Sequence, residues 1–143
     1  MAGKKIVICG FAFKANTNDT RESPAIKVCK DLINEGAFLS IHDPKVSEEQ
    51  IKEDLGNSIF LNNSNLSSNP LWEKETSVKE AASGADAIIF LTEWEEYKYL
   101  NWQEIEEVMR PPSWIFDWRS TVNKKRILET NLKFWRIGEG VPE

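Results

Sequence analysis

Three basic residues stand where the apolar pattern of this sequence breaks. Lys14 and Arg21 flank a polar stretch that follows the run Ile6, Val7, Ile8, Cys9, Gly10, and Arg119 comes just after Trp114, Ile115, Phe116. Arginine offers a forked pair of donors to phosphate oxygens and lysine a mobile point charge, so three such cations at one rim would suit a diphosphate. Backbone amides near Phe11 to Lys14 and a helix start at Ser23 would add fixed donors for an anion. The alternative is that these are three of the 18 ordinary surface cations. The binding reading requires that separate strand ends converge.

Other chemistries are poorly supplied. Ser23 is better explained as a helix cap than as a nucleophile, and neither Cys9 nor Cys29 has a base nearby in sequence. Asp and Glu residues are scattered without metal-ligand spacing. A dinucleotide fingerprint needs further glycines after Gly10, yet Phe11, Ala12, Phe13 and Lys14 follow, so a full nicotinamide-dinucleotide site is not expected in that turn. Asp43 stands where such a fold places a ribose-binding carboxylate, but with Pro44 behind it the residue is at least as well suited to bracing its own turn. His42, the only histidine, has no evident acid partner and is expected to pack or brace. Asp19 and Arg21 could pair across the loop. Among the six tryptophans, Trp94 and Trp118 fall at strand ends, where they line a pocket, form a subunit contact or simply pack.

The elements that would position these groups follow from periodicity. A first strand spans about Lys5 to Gly10, apolar without alternation, as a central parallel strand covered on both faces must be. A loop over 11–22 precedes a helix from about Ser23 to Glu35, which Gly36 ends. A second strand spans Phe38 to His42, followed by a short helix from Ser47 to Leu55 with capping-box spacing between Ser47 and Gln50. The Asn- and Ser-rich stretch over 56–69 reads as a surface excursion before a short strand near Leu71 to Glu73. A helix over Thr76 to Ser83 leads to the strand Ala87 to Leu91. A helical turn over Glu95 to Leu100 and a helix over Trp102 to Met109 follow, stopped by Pro111 and Pro112. Trp114 to Phe116 is a strand, Asn123 to Leu128 a short helix, Lys133 to Ile137 the last strand, and 138–143 a frayed terminus. The expectation is an α/β fold: a Rossmann-like, open, doubly wound, mainly parallel sheet of five or six strands with helices on both faces.

Length and composition bound the partners. A chain of 143 residues fits one domain with a real core. Its net charge of -5, with no basic block longer than Lys124 to Arg126, argues against a nucleic-acid footprint. No apolar run approaches the roughly 20 residues that span a bilayer, and no signal segment precedes the first strand. A soluble, cytoplasmic protein is expected. Two cysteines in apolar surroundings read as core residues.

Five strings then become specific as an ordered set: Gly10 to Lys14, Asp19 to Ser23, Asp43 to Val46, Thr92 to Trp94, and Phe116 to Arg119. Together they resemble the carboxy-terminal, UDP-binding domain of the UDP-glucose 6-dehydrogenase family, and the resemblance covers nearly the whole chain, 1–143. It implies one domain of a longer NAD-dependent enzyme that oxidises the C6 alcohol of UDP-glucose to a carboxylate, giving UDP-glucuronate. The NAD-binding domain and the central region with the catalytic cysteine would lie outside this chain, so the isolated domain is expected to be inactive. By the same resemblance, Phe13 and Lys14 lie against the nucleotide sugar, Arg119 is near its phosphates or uridine, and Arg21 reaches toward the cofactor side of the cleft. Cys9 and Cys29 do not inherit a catalytic role. Trp118 stands where many relatives carry glycine, and its indole would narrow the site or cover the base. Alternatives are a GDP-mannose or UDP-N-acetyl-sugar substrate, or a non-catalytic oligomerisation module.

Overall fold

The computed structural model describes residues 3–56 and 71–137. Six strands form one sheet: β1 (Lys5–Cys9), β2 (Phe38–His42), β3 (Trp72–Lys74), β4 (Ala87–Phe90), β5 (Trp114–Asp117) and β6 (Lys133–Arg136). Every pairing is parallel and the order is β3-β2-β1-β4-β5-β6. The expected doubly wound fold is therefore present. The sequence boundaries shift slightly: β3 is Trp72–Lys74, displaced one residue from its expected place because Trp72 pairs with Leu39. The excursion over 57–69 and the terminus over 138–143 lie outside the described residues.

Among the described residues, five α-helices link the strands: α1 (Pro24–Asn34), α2 (Glu48–Leu55), α3 (Val78–Ala82), α4 (Trp102–Val108) and α5 (Lys124–Leu128), with a 3-10 turn over Glu95–Tyr99. Caps fix where they start. The hydroxyl of Ser23 accepts from the Ala25 amide ahead of Pro24, and Ser47, Ser77, Asn101 and Asn123 play the same part for the other four helices. Helix α1 buries Ala25, Cys29 and Ile33 at four-residue spacing, one turn apart along a single stripe. It packs beside α2, whereas α3 packs beside α4, giving the two helical layers.

The core lies where the central strands are covered on both sides. Val7, Ile8, Cys9, Leu39, Ile41, Ile88 and Phe90 are fully buried. Cys9 and Cys29 are core residues as expected, and burial pushes both thiols well above their ordinary range. At the amino edge of the sheet, Asp86 accepts a forked pair from Arg110, Nε at 2.7 Å and Nη2 at 2.6 Å, together with the Lys5 amide. The guanidinium beside Asp86 holds its carboxyl below the usual range. That edge is a fastening.

At the carboxyl edge the strand order reverses between β1 and β4, which leave the sheet side by side in opposite crossovers. This reversal opens the crevice in which open α/β sheets hold ligands. The two chains approach so closely that only glycine fits at position 10. Its φ is +98°, and a Cβ there would lie 2.3 Å from the Thr92 Cβ and 2.6 Å from the Thr92 backbone nitrogen. Gly10→Ala should therefore cost about 2–4 kcal/mol, combining backbone strain with overpacking. Gly84→Ala, with φ +71° but nothing within 4 Å, should lose only about 1 kcal/mol. Urea unfolding of the two variants checks the difference.

Candidate functional site

The loop leaving β1 is tied down by residues that follow β2, β4 and β5 and by the start of α1. Its Phe11 and Ala12 amides donate to Asp43 Oδ2 at 2.7 and 3.0 Å. The Phe11 carbonyl accepts from Ser23 Oγ and the Ala12 carbonyl from Thr92 Oγ1, each at 2.8 Å. The Phe13 amide donates to the Asp19 carbonyl at 2.7 Å. These bonds overturn one expectation: the amides of Phe11, Ala12 and Phe13 are not donors for an anion, because the protein already uses them.

Asp43 is the hub. Besides the two loop amides, its Oδ2 accepts from the Trp94 indole nitrogen at 3.1 Å, and its Oδ1 accepts from the Lys45 and Val46 amides at 2.8 and 3.0 Å. Of the two sequence readings, bracing is the one realised. Five donors fill both oxygens, so no acceptor remains for a ribose hydroxyl. With the single glycine at position 10, this turn does not fit a dinucleotide. Trp94 resolves likewise: it is buried, with its indole spent on Asp43.

Asp117 does the same work at the end of β5, which sequence reasoning missed. Fully buried, it accepts from the amides of Arg119, Thr121 and Val122 and from the guanidinium of Arg136, with Nη2 at 2.9 Å. The usable signal was an aspartate directly after an apolar strand run, shared by Ile41-His42-Asp43 and Ile115-Phe116-Asp117. Turning the chain through Asp117 aims Arg119 back across the edge. Its Nε donates to the Leu91 carbonyl at 3.2 Å and its Nη2 to the Phe13 carbonyl at 3.3 Å. Glu93 Oε2 lies 3.6 Å from its Nη1.

Phe13 and Arg119, brought from separate strand ends, are thus in direct contact. The Phe13 ring is 40% exposed. Arg21 forks onto the carboxylate of Asp19, Nε to Oδ1 at 3.0 Å and Nη2 to Oδ2 at 2.8 Å, as its spacing allowed. That bonding, aided by the charge of Lys14, holds the Asp19 carboxyl down at about 2. Lys14 is exposed and has no ion-pair partner among the described residues. The rim therefore carries three cations, two of them facing carboxylates. An incoming dianion would find Lys14 available at once and Arg119 already aimed, with Glu93 as its competitor.

His42 departs from expectation in having an acid neighbour. Its Nδ1 is 2.9 Å from the Tyr97 hydroxyl and its Nε2 is 3.8 Å from Glu96 Oε2. Burial is the largest influence and lowers its pKa below the ordinary value, although Glu96 and Asp43 oppose this. The unfolded chain then binds a proton at His42 more readily than the folded one, so folding is weakened as pH falls through about 6.5. Unfolding free energy should decline from about pH 7 to about pH 5, and His42→Gln should flatten part of that decline in urea titrations. For the hub, Asp43→Asn keeps one acceptor oxygen and leaves at least two buried donors facing an amide NH2. A loss of about 3 kcal/mol is expected in the same assay.

The family model described as "UDP-glucose/GDP-mannose dehydrogenase family, UDP binding domain" matches residues 7–124. UDP-glucose 6-dehydrogenase 4 of Arabidopsis thaliana is 42% identical over 146 residues, and that of Oryza sativa subsp. japonica is 40% identical over the same length. Each match covers 97% of this chain but only 30% of the plant protein. Among solved structures, a UDP-D-ManNAc dehydrogenase from Pyrococcus horikoshii superposes with a TM-score of 0.70 at 27% identity, over 96% of this chain and 26% of its own. The chain belongs to the UDP-glucose/GDP-mannose dehydrogenase family, as its UDP-binding domain.

Proposed function

We propose that this chain is the UDP-binding part of a cytoplasmic, NAD-dependent UDP-glucose 6-dehydrogenase, and that it holds the nucleotide end of UDP-glucose at its carboxyl edge. The observation that carries the reading is Arg119, delivered by the Asp117 turn onto the Phe13 carbonyl beside Lys14. A diphosphate would be gripped there by a forked donor and a mobile charge. Phe13 would lie against the nucleotide sugar. Arg21, 88% exposed at its side chain and turned outward on Asp19, would extend the rim toward the cofactor.

NAD itself would be held by another part of the enzyme, since the turn after β1 here has neither the glycines nor a free Asp43 to hold it. The chain spans 30% of the plant relatives, which leaves room for the NAD-binding and central domains. In the whole enzyme the C6 alcohol would be oxidised twice, reducing two NAD and ending as the carboxylate of UDP-glucuronate. Neither cysteine of this chain serves as the thiol for that chemistry, because both are buried and their thiolates are disfavoured.

UDP-glucose is favoured over other nucleotide sugars by the similarity to plant UDP-glucose 6-dehydrogenases, 40% and 42% identical over 97% of this chain. A second reading, an assembly module that also forms homo-oligomers, draws on the exposed Trp118. Calorimetric titration with UDP, UDP-glucose, GDP-mannose and NAD separates these. Saturable binding of UDP and UDP-glucose is expected, weakened about tenfold or more by Lys14→Ala and by Arg119→Ala, each of which removes a charged partner. NAD should not bind in the turn after β1, and the pure chain should not reduce it. Self-association indifferent to UDP-glucose, with no heat on adding any nucleotide, would instead favour assembly.

A further inference from the structure

The exposed indole of Trp118 has no part in the arrangement above, yet its orientation is built in. Along β5, Ile115 and Asp117 are fully buried, whereas Trp114, Phe116 and Trp118 alternate onto the other side of the sheet. Trp114 and Phe116 stack with centroids 5.6 Å apart and planes 10° apart. Phe116 meets Trp135 of β6 at 6.5 Å, and Trp135 meets Trp118 edge-on at 6.1 Å. Four rings thus form a ladder that ends at the carboxyl edge, where the Trp118 amide is bonded to the Phe90 carbonyl at 3.0 Å. Trp118 nevertheless remains 42% exposed.

We propose that Trp118 is a stacking platform for the base of the nucleoside diphosphate whose phosphates meet Lys14 and Arg119. The inference rests on the nucleotide reading of this edge and adds to it a residue that selects nucleoside diphosphates over bare diphosphate. A solvent-exposed indole ordinarily loses rotamer freedom when a ligand stacks on it. Here the ladder has already fixed the ring, so little further ordering is needed. The neighbouring residue is Arg119, whose guanidinium is on the Phe13 carbonyl, and the Phe13 ring is itself 40% exposed. A cation and two exposed rings are thus carried to the same carboxyl edge, matching a ligand that is anionic at one end and planar at the other. Because every base has a π face, such a platform adds affinity without choosing between bases.

The test is calorimetric titration of the 143-residue chain with UDP and with inorganic pyrophosphate, using the parent, Trp118→Ala and Trp118→Phe. UDP affinity should fall about tenfold in Trp118→Ala and recover largely in Trp118→Phe, while pyrophosphate affinity stays constant in all three. Unchanged pyrophosphate binding also shows that the variants are folded. Equal UDP affinity in parent and Trp118→Ala would overturn the stacking role and leave the nucleotide reading standing. Equal losses for UDP and pyrophosphate would overturn it too, showing that the indole acts through Arg119. If only sedimentation changes, Trp118 is an assembly contact and the platform is lost. No UDP binding by the parent chain would overturn both readings.

Discussion

The carboxylate of Asp43 is the interaction on which the carboxyl edge of this protein depends. It draws together its own turn, the loop after β1 and the indole of Trp94, three segments with no reason to meet in an unfolded chain. Four of its five donors, on Phe11, Ala12, Val46 and Trp94, are N–H groups that would otherwise be buried without a partner, which is the more expensive failure in a protein interior. An acceptor-only group is the economical answer to so many converging amides, and a strand end is where they converge. The bracing accounts for the carboxylate at position 43, where the dinucleotide role associated with such a residue in related folds is closed.

Asp117 repeats the device in the other half of the sheet, with the guanidinium of Arg136 as its counter-charge. Paired and hydrogen-bonded, this buried ion pair avoids the penalty of an isolated charge. It also gives direction: the turn that Asp117 organises is the one that presents Arg119. The two aspartates thus act differently on the site. Asp43 removes backbone amides from it, while Asp117 supplies a side chain to it. The proposed anion site would therefore use lysine and arginine side chains, rather than the amide cradle of a glycine-rich turn.

Electrostatically the rim is restrained. Asp19 occupies Arg21 and Glu93 faces Arg119, so the cations are held in place by weak, solvent-screened partners. Such pairs keep long side chains near one position and exchange readily, which is what the proposed phosphate contact would require. A chain that is acidic overall thus still gathers cations locally at this rim.

Fold and site were legible in the sequence to different depths. The strands could be read because a parallel sheet covered on both faces demands unbroken apolar runs, as in Ile6 to Cys9 and Ala87 to Phe90. The helices could be read because their first turns need caps, as Ser23 and Ser47 supply, and the pairing of Asp19 with Arg21 followed from near-neighbour spacing. Only the tertiary structure decided which donors Asp43 and Asp117 collect, that Glu96 and Tyr97 flank His42, and that Arg119 ends on the Phe13 carbonyl. Periodicity and capping are local, set by a residue and those within a turn of it. The site is made where strand order reverses between β1 and β4, and contacts between residues about 100 positions apart are written in no local pattern, only in the packing that brings the strand ends together.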